Sequence, residues 1–154
     1  MKIALGADHH GVALKAEVAA FLKESGHEVL DLGAHEVVPD DDYPDLTVPV
    51  ARAVIAGEAE RGIVICGSGV GAAIAANKIP GVRASVCHDT YSARQGVEHD
   101  DMNILCLGAL IIGSNLAKDL VAGFVGATFD PPPRFRRRLE KVNALEMEAR
   151  KAAG

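Results

Sequence analysis

The feature that most constrains this chain is an alternation, repeated five times, of short apolar runs with longer amphipathic stretches. Lys2 to Gly6, Glu28 to Leu32, Gly62 to Cys66, Val82 to Cys87 and Asn103 to Gly108 read as strands. GIVIC at Gly62 to Cys66 is apolar throughout, the pattern of a strand covered on both faces. Val12 to Ser25, Thr47 to Gly57, Val70 to Lys78, Thr90 to Val97 and Ser114 to about Phe124 read as helices. Val12, Leu14, Val18, Phe21 and Leu22 give the first of them an apolar face, Gly26 stops it, and Ser114 is placed to cap the fifth. Strands that alternate with helices form a parallel sheet with helices on both sides. Right-handed crossovers leave few ways to connect it. The expected fold class is α/β, a doubly wound five-stranded parallel sheet in the order 2-1-3-4-5. A charged C-terminal helix, Arg134 to Lys151, follows the break at Pro131, Pro132 and Pro133. The 154 residues, 49% hydrophobic and rich in Ala, Val, Leu and Ile, suffice for one core, so residues 1–154 are expected to be a single domain.

The formal net charge of −5 argues against a nucleic-acid partner. The three cysteines, Cys66, Cys87 and Cys106, lie far apart with no CxxC pair, which suits free thiols in a reducing compartment. MKIALGADHH has no apolar run of signal-peptide length, and no segment approaches the roughly 18 apolar residues of a membrane span. A cytoplasmic location and no membrane partner are therefore expected.

In a sheet of that order, ligands bind at the carboxyl ends of the strands beside the switch point, here between strands 1 and 3. The loops at that point are GADHHG, Gly6 to Gly11, and CGSGVG, Cys66 to Gly71. Asp8, His9 and His10 in the first could handle hydroxyl protons or an anion. On pattern alone, Asp8 could equally cap the first helix beside two solvated histidines. In the second, glycines let the backbone approach a ligand, main-chain N–H groups offer an anion site, and Ser68 adds a hydroxyl. Cys66 sits at its mouth, and a thiol at a helix N-terminus ionises more readily than the usual pKa of about 8.5 allows. A lone cysteine ending an apolar strand is more often core; the glycine loop after Cys66 tips the balance towards chemistry. Cys87 and Cys106 lack such a loop and read as core. Position 72 is Ala, not the Arg of a cysteine phosphatase loop, and Gly71, Ala72 and Ala73 stand where a nucleotide-binding loop needs Gly-Lys-Ser/Thr. His99 is either a general acid or an exposed polar residue. Arg134 and Arg138, four apart on one helical face, could grip a phosphate or form a solvated basic face. His27, His35 and His88 read as surface or structural residues.

Taken together, GADHHG, DYPD at Asp42 to Asp45, GIVICGSGVGAAIAANK at Gly62 to Lys78 and RFRRRLEKV near the end resemble type B ribose-5-phosphate isomerase over essentially the whole chain. The wider family includes allose- and galactose-6-phosphate isomerases. The resemblance implies a Rossmann-like fold and an aldose–ketose isomerase that needs no metal or cofactor. It also implies a homodimer or dimer of dimers with a shared active site, the terminal helix packing on the partner subunit. By the same resemblance Cys66 is the base, and Ser68 with the amides of Gly67, Gly69, Val70 and Gly71 holds the enediolate. Asp8 and His99 open the sugar ring, His9, Arg134 and Arg138 bind the phosphate, and Tyr43 lies close to the substrate. Three positions depart from the family pattern: Asp100 replaces a frequent Asn, Leu110 a frequent Arg and Phe135 a frequent His. Asp100 is expected to touch substrate. The departures bear on which sugar phosphate is preferred, with five-, six- and four-carbon substrates as candidates. A non-catalytic sugar-phosphate-binding module is the remaining alternative.

Overall fold

The computed structural model describes residues 1–154 as β1 (Lys2–Ala7), α1 (Val12–Glu24), β2 (Glu28–Asp31), α2 (Tyr43–Ile55), β3 (Arg61–Cys66), α3 (Val70–Ala76), β4 (Ala84–Val86), α4 (Thr90–Asp100), β5 (Ile104–Gly108), α5 (Ser114–Gly126) and α6 (Pro133–Ala153). Every strand pair is parallel, and the α/β class with its five-stranded sheet is as expected. The expected order 2-1-3-4-5 is corrected: the observed order is β2-β1-β3-β5-β4. Burial explains the exchange. ILCLG in β5 is buried at every position and takes the central place beside β3, whereas β4 has only three residues, none of them fully buried. The switch point between β1 and β3 is unchanged, because both still pair directly.

Alternation along the strands sends two different sets of side chains to the two faces. Ile3, Leu5, Ile63, Ile65, Leu105 and Leu107 join α1, α4 and α5 in one core, which is closed by the fully buried Phe124. Ala4, Val64, Cys66, Ile104 and Cys106 face α2 and α3 in the other. Smaller residues on this second face let α2 lie close to the sheet. A Cβ at Gly62 would stand 2.7 Å from a methyl of Val50.

Several helix ends differ from the sequence pattern. α2 begins at Tyr43 rather than Thr47, with Pro44 in its first turn, where a missing N–H costs nothing. Ser114 does not cap α5: Gly113 is the N-cap residue, and the Ser114 hydroxyl donates to Glu17 instead. Gly26 ends α1 as expected, with φ of 84°. α6 packs through Phe135, its one buried residue, and its Glu146 accepts a 2.8 Å hydrogen bond from the Gly81 N–H. Val142, Leu145 and Met147 on the same helix are exposed. At the β4 rim, the Asn77 side chain bonds both the N–H and the C=O of Ala84, each at 2.9 Å, and so occupies the groups a further strand would pair with. No helix is long and apolar enough to cross a membrane.

One half-buried ion pair ties α1 to β2. The Lys15 side chain is 4% exposed and its Nζ lies 2.5 Å from Asp31 Oδ1, whereas Asp31 is 37% exposed. Burial alone would push the Asp31 carboxyl up, but donation from Lys15 and from the Gly33 N–H holds it below the ordinary carboxylate range. A depressed carboxyl stabilises the fold above its unfolded pKa, and that contribution is lost as pH falls through the folded one. The asymmetry in burial predicts unequal mutants. Asp31→Asn strands a buried ammonium and should cost about 3 kcal/mol at pH 7. Lys15→Met leaves a carboxylate that water can reach and should cost clearly less. Urea unfolding of both variants checks this, and equal costs would contradict it.

Candidate active site

Because β1 and β3 are neighbours, the loops leaving their carboxyl ends lie side by side. The Asp8 N–H donates to the Ile65 carbonyl at 3.1 Å, which carries the pairing into the loop. Asp8 is 5% exposed, and its Oδ1 accepts from the His10 N–H at 2.9 Å. The N-cap residue of α1 is Gly11, with no side-chain cap, so Asp8 is not a helix cap. His9 is held by Asp41, whose Oδ1 accepts from the His9 N–H at 3.0 Å and meets Nδ1 at 2.6 Å. The His9 and His10 rings lie with centroids 4.1 Å apart. His10 in turn faces Gly67, where a Cβ would stand 3.3 Å from its ring.

The second loop turns sharply at Gly69, whose φ of 82° favours glycine. That turn brings the Gly69 N–H to 3.1 Å from Cys66 Sγ. The Val70 N–H donates to Ser68 Oγ at 3.2 Å. The amides of Gly67, Ser68 and Gly71 donate to no group of the chain, so the loop that bends back to the sulfur carries three unused main-chain donors. Such a nest suits an anion. Cys66 itself is 4% exposed. Burial pushes the thiols of Cys87 and Cys106 up, and both lie in the core as expected. The Tyr43 ring lies over Gly71, where a Cβ would stand 2.7 Å from its Cζ. The exposed Leu110 reaches over Gly67, to whose carbonyl its own N–H donates at 3.0 Å.

Asp8, His9, Tyr43, Cys66, Gly67, Ser68, Gly69, Val70 and Gly71 are thus gathered at one edge of the sheet. His99, Asp100, Arg134 and Arg138 are not. α4 runs back along the sheet and ends where Arg83, just before β4, donates to the Asp101 carbonyl at 2.7 Å. The next residues confirm the location, for the Gly62 N–H at the start of β3 donates to the Asn103 carbonyl at 2.9 Å. His99 therefore sits at the amino edge, separated from Cys66 by the length of a strand, roughly 16 Å for five steps of about 3.3 Å. It stacks on Phe135 with centroids 3.9 Å apart. The guanidinium carbons of Arg134 and Arg138 stand 4.6 Å and 5.3 Å from the centre of the same ring. The Gln95 amide approaches His99 Nδ1 at 2.7 Å. A concavity of about 540 Å³ lies beside this second group; Arg83, Cys87, Gln95, Asp100 and Leu139 are among its walls, and Cys66 is not. It is less suited to chemistry than the carboxyl-edge cluster, because its only cysteine is a core thiol and Arg83 is already paired with Asp101.

Asp41, His88 and Gly108 were not singled out by the sequence. Asp41 belongs to an acidic run that reads as a solvated loop, and its partner is 32 positions away. His88 Nε2 accepts from the Gly108 N–H at 3.0 Å, which places the ring proton on Nδ1. Asp8, His9 and Asp41 bring ligand-type atoms within 4.8 Å of one another. However, the 2.6 Å between His9 Nδ1 and Asp41 Oδ1 is the separation of two atoms sharing a proton, which a metal-ligand pair would have lost.

A parallel α/β sheet with a cysteine and free main-chain amides at its switch point has the layout of an enzyme site. Residues 3–142 match the Ribose/Galactose Isomerase family profile, and the chain belongs to that family, whose members are aldose–ketose isomerases. It is 45% identical to ribose-5-phosphate isomerase B of Escherichia coli over 94% of this chain and 96% of that one. It is 37% identical to D-erythrulose-4-phosphate isomerase of Pectobacterium atrosepticum, over 84% of this chain and 86% of that one. Among solved structures, Clostridium thermocellum ribose-5-phosphate isomerase B superposes with a TM-score of 0.92 at 48% identity, covering 97% of this chain and 99% of that one. The Mycoplasma genitalium ribose-5-phosphate isomerase B, solved with bound ribulose 5-phosphate, gives 0.89 at 35% identity, covering 96% and 97%. The family resemblance drawn from the motifs therefore holds.

The tight spot in this site is Gly108, where a Cβ would stand 2.7 Å from the Ser68 carbonyl carbon and oxygen. Both contacts are backbone, so Gly108→Ala must push the glycine loop aside. A displacement of about 1 Å should lower kcat/KM by about 100-fold. Gly113→Ala, with nothing within 4 Å, should leave it nearly unchanged. Steady-state kinetics on the pair tests whether loop position matters.

Proposed function

We propose that this isomerase interconverts ribose 5-phosphate and ribulose 5-phosphate, with Cys66 as the base, in a site completed by a second copy of the chain. The observation that carries it is the Cys66 sulfur bonded by the Gly69 N–H beside the free amides of Gly67, Ser68 and Gly71. Isomerisation begins when a base takes the proton from C2 of the open aldose. The C–H electron pair becomes the C1–C2 double bond, and the carbonyl electrons move onto O1. Donors fixed around that oxygen stabilise the enediolate, typically the largest single contribution in reactions of this kind. A proton passes from O2 to O1, and the base returns its proton to C1, leaving a ketone at C2. Thiolate and thiol are regenerated in turn, so no redox partner is consumed. Ring opening must come first, and Asp8 with His99 supplies the acid–base pair. His9, Arg134 and Arg138 hold the phosphate, whose binding orients C1 and C2 over the sulfur. Tyr43 and Asp100 flank the sugar.

The separation of the two groups within one chain supports the shared site. His99, Asp100, Arg134 and Arg138 cannot reach the Cys66 of their own chain, but an isologous pair brings each group against its complement twice. Exposed apolar residues stand beside both halves, Val70 and Ile74 by the glycine loop and Val142, Leu145 and Met147 on α6. An interface would cover them.

A second reading keeps the chemistry and changes the sugar. It rests on Leu110, an exposed apolar side chain against Gly67 where an arginine is frequent in the family. It also draws on a four-carbon isomerase among the relatives. Initial rates with ribose 5-phosphate, erythrulose 4-phosphate, allose 6-phosphate and galactose 6-phosphate decide between them. The first reading expects the largest kcat/KM for the pentose.

Cys66→Ala should abolish turnover while leaving the thermal unfolding midpoint close to the parent value. Retained activity would remove Cys66 as the base. Mixing inactive Cys66→Ala with inactive His99→Asn tests the shared site directly. Random re-pairing gives half mixed dimers, each with one intact site of two, so about a quarter of parental activity should return. No recovery despite demonstrated subunit exchange would place both residues in one chain's own site.

A further inference from the structure

We propose that Asp41 is the positioning residue of the phosphate subsite: one of its oxygens clamps both the backbone and the ring of His9, so that the ring presents a charged Nε2–H to the substrate's phosphate. This rests on the role proposed above for His9 and assigns a function to the loop between β2 and α2.

The geometry is specific. A carboxylate oxygen only accepts, so Asp41 Oδ1 receives the His9 N–H at 3.0 Å and the proton on Nδ1 at 2.6 Å. The first contact fixes the loop and the second fixes the ring, and together they remove the freedom of the imidazole to rotate. Nε2 has no partner in the chain, and the His9 side chain is 25% exposed. The other oxygen, Asp41 Oδ2, is buried and accepts no hydrogen bond from the chain, so the contacts to His9 are the ones that hold the carboxylate. Asp41 is 12% exposed, a protected position for an acid from an otherwise solvated acidic run.

The acidic groups around the ring, Asp41, Asp8 and Asp40, favour the imidazolium, while the neighbouring His10, its ring centroid 4.1 Å away, supplies no negative charge. Asp41 contributes most through its hydrogen bond; burial opposes it; Asp8 and Asp40 add attraction, and the His9 pKa is raised above 6.5. Burial would push the Asp41 carboxyl up, but His9 donates twice and holds it below the ordinary range, with the nearby His10 adding to the effect. A raised histidine keeps its proton further into the neutral range and loses it as pH climbs through the raised value. The segment that carries Asp41 also carries Tyr43, whose ring lies on Gly71. One loop therefore sets the phosphate end and the enediolate end together.

Asp41→Asn keeps the shape and removes the charge. KM for ribose 5-phosphate should rise about tenfold at pH 7.5 with kcat changed less than about twofold, since gripping the phosphate serves ground and transition states alike. The rise of KM with pH should begin at lower pH than in the parent. NMR titration of His9 should show its pKa falling in the variant. An unmoved KM limb and an unmoved His9 titration would overturn the proposal. His9→Asn separates this from the parent reading: if it raises KM while Asp41→Asn does not, only the role of Asp41 fails. If His9→Asn leaves KM unchanged, phosphate binding by His9 fails first. Should Asp41→Asn not fold, the titration of His9 in the parent decides, and a value at or below 6.5 overturns the proposal.

Discussion

Parallel pairing of β1 with β3 is the constraint from which the rest follows. Parallel strands put every carboxyl end at one edge and every amino end at the other, and the helices must return the chain across the full width of the sheet. Five registered pairs between β1 and β3 place the loop after Ala7 against the loop after Cys66 without any contribution from side chains. The same polarity consigns the end of α4 to the far edge. A chain of this length with this connectivity carries two chemically distinct clusters, a sulfur with amides at one rim and a histidine with guanidinium groups at the other.

The division of the core into two unlike faces serves that arrangement. Large aliphatic side chains on the α1, α4 and α5 side supply most of the bulk of the core. On the α2 and α3 side, Ala, Cys and Gly leave little height between sheet and helices. α2 therefore rides close enough for its first residue, Tyr43, to overhang the glycine loop, and α3 begins directly beneath it. A bulkier face would lift both helices and open the turn that aims the Gly69 N–H at the sulfur.

What could be read from the residues was whatever depends on neighbours in sequence. The strand GIVIC, the glycine loop and the stop at Gly26 are local, and all three are where they were expected. The exchange of β4 and β5 was not legible, because it depends on which of two apolar runs gains more by being covered on both faces, a comparison only the assembled sheet makes. The start of α2 was misplaced because Pro44 looks like a breaker until its position in the first turn is known. Asp41 was hidden for a related reason: three consecutive acids look solvated, and nothing nearby shows that the middle one meets a histidine from another loop. The distribution of the expected residues over two edges was visible only as topology, since motifs carry no sign of direction across a sheet.

Asn77 has a consequence for how such molecules associate. By satisfying both main-chain groups of Ala84 it stoppers the sheet at the β4 rim. The opposite rim is short and carries the charged side chains of Glu28 and Asp31. Ribbon-like growth, with one molecule's sheet extending into the next, is blocked at the stoppered end. Contact between copies is left to helix faces and loops, where shape must match.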